Sequence, residues 1–227
     1  MRRIKHFLGL LLIGICLVSI LSACGEAAKK RAEPMEESKI AALREEYRYL
    51  DEEPLGNRIE APELKEDLMI FGKDLVGFFV IEIADGENEE HDNYLDPTGG
   101  EKPELTNNYP FICIPAKIQE VVVTRENREI DGEDMWLLYG KNFSDEDVFI
   151  PARRFLHIAI INDATENAEI ITGCDPVYCG DRLMSFYITE DDHILSLNAD
   201  PEADFYSGWT LEAFEEELRS TFRELGW

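Results

Sequence analysis

The first 24 residues constrain this chain more than anything that follows. Arg2, Arg3 and Lys5 make a basic start, and residues 7–21 form an apolar run of 15 without a charge. A membrane-crossing helix needs about 20 apolar residues, so this run is short for a span and has the form of a secretory signal. Ser22 and Ala23 are small, as a peptidase pocket beside a cleavage site requires, and Cys24 supplies a nucleophile able to carry a thioether-linked diacylglyceryl group. Residues 1–23 are therefore expected to be removed, leaving 204 of the 227 residues to fold. An uncleaved anchor over residues 4–23 is the competing expectation.

Leu21-Ser22-Ala23-Cys24 resembles the lipobox of bacterial lipoproteins. The resemblance covers residues 1–24 and implies lipidation of Cys24, cleavage before it, and retention at the cell membrane facing outside the cytoplasm. Acyl chains contribute about 0.8 kcal/mol per buried methylene, and two chains make anchoring stable where one is marginal. Residues 24–34 then form a lipidated tether. Its Lys29-Lys30-Arg31 triplet would be drawn to anionic headgroups by about 1 kcal/mol per cation. Residues 35–227 are expected to form a single acidic domain.

Removing Arg2, Arg3 and Lys5 from a chain of net charge −26 leaves −29. Nucleic-acid binding by phosphate neutralisation needs clustered Lys and Arg, so that function class is excluded. The chain is not disordered by composition: 12 Phe, 8 Tyr and 3 Trp can fill a core.

Ile40, Leu43, Tyr47 and Leu50 share one face of a 3.6-residue period, which predicts a helix over residues 36–52, opened by Pro34 and closed by Pro54. Strands are predicted over residues 75–83, 118–124, 135–139, 148–161 with a break at Pro151, 168–172 and 184–189. Asp131-Gly132 suits a tight hairpin turn, and Asp191-Asp192 turns residues 184–189 into a second hairpin with 193–197. Residues 85–104 are acidic, rich in Gly and Pro and without periodicity, which predicts a long loop. The strongest helix covers residues 209–225: Leu211, Phe214, Leu218, Phe222 and Leu225 form a core stripe, Thr210 caps the start and Gly226 the end, and Trp227 can fold back onto the last turn. No regular β-α-β alternation occurs. The expected fold class is α+β: a mostly antiparallel sheet of six to eight strands with an N-terminal helix and a C-terminal amphipathic helix.

Chemical motifs are sparse. No serine-hydrolase elbow, phosphate-cradling glycine loop or His-Glu-x-x-His occurs. Cys174 and Cys179 are close enough in sequence for a local disulfide in an exported protein, with two reduced thiols as the alternative. Cys113 reads as a small buried hydrophobe, and His157, inside an apolar strand, as a core or sheet-face residue. No metal site stands out. Calcium is the one cofactor with weak candidates: Asp85, Glu87 and Glu89 in one acidic run, and Asn198, Asp200, Glu202 and Asp204 in another. No catalytic residue can be named.

Residues 193–198, an irregular acidic stretch, and then Trp209 to Leu218 resemble the closing strand and helix of SMI1/KNR4-type (SUKH) domains. That resemblance covers roughly 35 residues and implies an immunity-type role in binding and neutralising a toxin. The functional expectation is a membrane-anchored, non-catalytic domain that binds a protein or small ligand. An envelope-polymer hydrolase using acidic residues is the alternative.

Overall fold

The computed structural model describes residues 34–50, 64–91, 94–95, 105–107, 111–130, 132–140, 148–161, 177–180, 184–198 and 205–227. Its helices are α1 (Glu37–Leu43), α2 (Leu64–Phe71) and α3 (Leu211–Leu225). Its strands are β1 (Leu75–Ile83), β2 (Glu89–His91), β3 (Tyr94–Leu95), β4 (Leu105–Asn107), β5 (Phe111–Thr124), β6 (Asp134–Gly140), β7 (Arg154–Ile160), β8 (Val177–Cys179), β9 (Phe186–Ile188) and β10 (Ile194–Ser196).

The expected mostly antiparallel sheet of six to eight strands is overturned by a closed, mixed barrel. Strands β1, β5, β6, β8 and β7 pair in that order, and β7 pairs back onto β1, closing a five-stranded barrel. The barrel is mixed because β8 runs parallel to β6, with Trp136 opposite Val177 and Leu138 opposite Cys179, and antiparallel to β7. One edge of β7 is shared: Ile160 pairs with β8, while Phe155 and Leu156 pair with β9, which carries β10 outward as an extension. Closure removes the exposed sheet edges that an open arrangement would leave.

The period-2 alternation of β1 and β7 explains why closure works. Phe79, Ile81, Phe155 and Ala159 point into one cluster with Met135, Leu137 and Tyr139, the barrel interior. Phe78, Val80, Leu156 and Ile158 point the other way and are covered by Leu68 of α2 and Phe214, Leu218 and Phe222 of α3. A strand buried on both faces reads as a continuous apolar run, as residues 75–83 do. The α3 stripe is a core face as expected, each of its three buried rings or leucines contributing roughly 2 kcal/mol of burial. Arg219 ties that helix to the barrel, donating to the Val122 carbonyl at 3.1 Å and the Glu120 carboxylate at 3.0 Å. The caps form as expected: Thr210 Oγ1 accepts from Ala213 N, and Gly226 adopts φ 72°.

Further differences have local causes. Strand β5 begins at Phe111, ahead of the strand expected over residues 118–124, and continues through Pro115. The Pro115 carbonyl accepts from Ala84 N just past β1, so its missing N–H lies on the edge where the chain leaves the ladder before β2. A tight turn does not join β5 to β6: the two begin pairing at Lys117 and Asp134, and beyond that point β5 extends along β1 to Thr124, while Asp131 of the expected Asp131-Gly132 turn lies outside the described residues. Residues 85–104 are not wholly loop, since β2 pairs with β5 and β3 with β4. Helix α2, just ahead of β1, was not among the expected elements, and α1 ends at Leu43, short of the predicted Glu52. Past α1 the chain turns, so that Tyr47 and Leu50 close one end of the barrel interior, with Leu50 N donating to the Leu197 carbonyl and the Tyr187 hydroxyl to the Arg48 carbonyl. The Asp191-Asp192 hairpin forms between β9 and β10, with Asp192 left-handed at φ 54°. Strand 168–172 falls outside the described residues.

Candidate functional site

Two polar features stand out, one sealed inside the barrel and one open at its end. The sealed one is built by strand alternation. His157 lies between Phe155 and Ala159 on the interior face of β7, and Tyr139 lies two residues beyond Leu137 on that face of β6. The Tyr139 hydroxyl and His157 Nε2 are 2.7 Å apart, and Tyr139 reaches Ser185 Oγ at 3.5 Å. Burial pushes the His157 imidazole down from 6.5 to about 3, so it is neutral. Its Nδ1 is buried with no hydrogen-bond partner. The tautomer that leaves no buried N–H without an acceptor therefore has Nε2–H donating to Tyr139.

Gly180, just after β8, covers this pair. A Cβ there would lie 2.1 Å from the Tyr139 hydroxyl oxygen and 2.5 Å from His157 Nε2, so only glycine fits. His157 and Ser185 have no exposed surface. Proton chemistry on a substrate needs hydrogen-bond reach, and this imidazole has no route to solvent in the described structure. The trio is a core network that ties β6 and β7 to the start of β9, with His157 Nδ1 left unpaired.

The open feature is a pocket of ≈ 390 Å³ at the end where β1 begins and β5 finishes. Among the described residues it is lined by Lys73, Leu75, Val76, Arg125, Glu126 and Arg128. Two helix ends build it. Gly72 follows α2 with φ 55°, and its carbonyl accepts from Arg125 Nη1. Gly226 follows α3, so Trp227 N bonds back to the Phe222 carbonyl and the Trp227 ring lies 4.8 Å from the Arg125 guanidinium carbon. Arg125 is thus held against two helix C-termini, where the backbone dipoles favour a cation. The turn after it is strained: Glu126 and Asn127 are both left-handed, at φ 57° and 52°. Arg128 N donates to the Arg125 carbonyl and Thr124 Oγ1 to the Arg128 carbonyl, closing the turn and bringing Arg128 to the same opening as Lys73. A second pocket, between α2 and α3, sets Glu217 and Glu224 against Lys65 and has no such excess of cations.

The sequence-predicted residues do not converge. Asp85 and Glu87 are exposed, Glu89 lies on β2, and Asn198 is buried. Among the described residues no group of three or more His, Cys, Asp or Glu side chains could hold a metal ion. Asp200, Glu202, Asp204, Cys174 and Cys24 lie outside the described residues, so the expected disulfide has only its Cys179 end in view, on β8. Cys113 is fully buried, as expected. Tyr139, Gly180 and Ser185 were not singled out by the sequence, nor were Lys73, Arg125 and Arg128. His157 carried a signal, a polar residue at an inward position of an apolar strand. No protein-family model matches the chain, and no curated protein or solved structure does either. Among the described residues no helix is long and apolar enough to cross a membrane.

Proposed function

We propose that this chain is an extracytoplasmic lipoprotein, held to the membrane by lipid on Cys24, whose acidic domain binds a protein or small ligand without catalysing a reaction. The carrying observation is Leu21-Ser22-Ala23-Cys24 at the end of a short apolar run with a basic start. The placement of polar groups supports the binding half of this reading. The histidine, tyrosine and serine hydroxyl that share a hydrogen-bond network are sealed in the barrel, while Lys73 and Arg128 are exposed at its end. The attachment corner is also defined. Met35 N donates to the Gly208 carbonyl, two residues before the Thr210 cap of α3, so a tether ending at residue 34 joins the domain beside the start of that helix.

Fractionation and metabolic labelling test the anchor. Cells fed a labelled fatty acid should incorporate label into the wild-type protein, which should sediment with membranes. Cys24→Ser should lose the label and the smaller, cleaved form. A Cys24→Ser protein with unchanged size and membrane association would replace the lipid anchor with an uncleaved apolar one.

A further inference from the structure

We propose that the pocket bounded by Lys73, Arg125 and Arg128 is a binding site for the phosphate or diphosphate group of a small, soluble molecule. The argument begins with charge. In a chain of net charge −26, three cations gather at one opening against a single lining carboxylate, Glu126, whose side chain is 81% exposed. Arg125 is already committed to the Gly72 carbonyl and the Trp227 ring and acts as a fixed positioning cation. Lys73 and Arg128 are exposed and form no ion pair with any described residue. Surface cations in so acidic a protein ordinarily find carboxylates, as Lys39 does with Asp191 at 2.6 Å and Arg154 with Asp192 at 3.0 Å. Two cations with no ion-pair partner among the described residues, set beside a third, repel one another, and a bound anion relieves that repulsion.

The backbone supports a built site. Consecutive left-handed Glu126 and Asn127 are costly for residues with a Cβ, and such strain concentrates at ligand clamps. Here it brings Arg128 back to Arg125. On the facing side, β1 carries a bulge between Leu75 and Gly77, and Val76 lines the opening. A phosphate offers three oxygens to an ammonium and a guanidinium fork at once, which one carboxylate does less well. The ≈ 390 Å³ volume exceeds one phosphate and falls within the range of small-ligand sites. The position favours a soluble ligand over a headgroup of the anchoring membrane. Trp227 lies past the end of α3 and the tether joins before its start, so the 15-residue helix separates them by about 22 Å.

This assignment gives a ligand class to the binding domain proposed above and rests on that reading. It does not use the lipid, so the fractionation result and the result here can fail separately. The test is calorimetric titration of the full-length protein in neutral detergent with inorganic phosphate and pyrophosphate, repeated at rising salt. Saturable binding that weakens with salt is expected. Lys73→Ala and Arg128→Ala should each lower pyrophosphate affinity about tenfold, and K73E/R128E should abolish it, with melting temperatures unchanged because both side chains are exposed. No saturable heat at millimolar pyrophosphate, or binding indifferent to both substitutions, would overturn the site. Binding to phosphatidylglycerol vesicles without binding to either free anion would overturn the soluble-ligand assignment.

Discussion

Two histidines beside hydroxyl groups occupy opposite environments in this molecule, and the contrast separates burial from pairing. His157 lies in the barrel against Tyr139 and Ser185. His193 lies at the β9–β10 turn, where its Nδ1 is 3.4 Å from an Asp191 oxygen and that carboxylate also accepts a hydrogen bond from Thr189 Oγ1 at 2.7 Å. A group in each region has its pKa lowered, for opposite reasons. His157 falls to about 3 because burial penalises the charged form. Asp191 falls to about 2 because hydrogen bonds from Lys39 and then Thr189 favour the charged form. Removal from water decides inside the barrel, and partners decide at the turn.

The largest effect should come from breaking the seal on the interior. Gly180→Ala would place a methyl group 2.1 Å from the Tyr139 hydroxyl oxygen and 2.2 Å from its ring carbon. Overpacking of this kind typically costs 1–3 kcal/mol, and Gly180 should sit at or above about 3 kcal/mol because Tyr139 is enclosed and already bonded. Urea denaturation gives the number. Repeating it in a Tyr139→Leu background sharpens the assignment, since the cost of Gly180→Ala should drop by at least about 1 kcal/mol once the ring is gone. An equal cost in both backgrounds would place the damage elsewhere.

Acid comes next. The unfolded chain protonates His157 near pH 6.5, while the folded chain resists protonation until about pH 3. Between those values the unfolded state binds the extra proton, so stability is fully present above pH 6.5 and falls as pH drops. The loss approaches about 1.4 kcal/mol per pH unit from this one residue. A His157→Phe variant should lose that component of the slope between pH 6 and pH 4 in denaturation curves. It should also be less stable at pH 7, because it strips the Tyr139 hydroxyl of its 2.7 Å partner. A slope identical to wild type would mean that His157 is not held neutral.

How much of this was legible in the sequence depended on whether the signal was local. Helix α3 was written out in full: the stripe from Leu211 to Leu225, the Thr210 cap and the left-handed Gly226 all act within a few residues. The apolar run of β1 and the turn at Asp192 were equally local. Barrel closure was not, because it depends on β8, three residues with no periodicity, pairing in parallel with a strand some forty positions earlier. Helix α2 was hidden because Met69 and Ile70 are apolar yet half exposed, which blurs the amphipathic period. Pro115 masked the continuity of β5, since a proline at an interior strand position ordinarily argues against a strand. The basic pocket was beyond reach for a related reason. Lys73 and Arg125 are over fifty positions apart, and each alone is an ordinary cation in an acidic chain.

The turn gives the smallest expected effect and completes the contrast. Asp191→Asn removes the negative charge that pairs with Lys39 and lies beside His193 while leaving the hairpin backbone intact. Its side chain is 46% exposed, so solvent screens the pair and the cost at pH 7 should stay below about 1 kcal/mol. The sign follows from a carboxylate whose folded pKa lies below its ordinary 3.8. Its stabilisation is present above pH 4 and disappears as pH falls toward 2, two to three units below the range where His157 begins to act. Wild type and Asp191→Asn should therefore differ slightly at pH 7 and converge at pH 2, and added salt should shrink the difference at pH 7. His157→Phe should respond to pH but not to salt, because no ion pair is involved. If instead salt erased the His157 difference and left that of Asp191 untouched, the assignment of burial to one region and pairing to the other would be reversed.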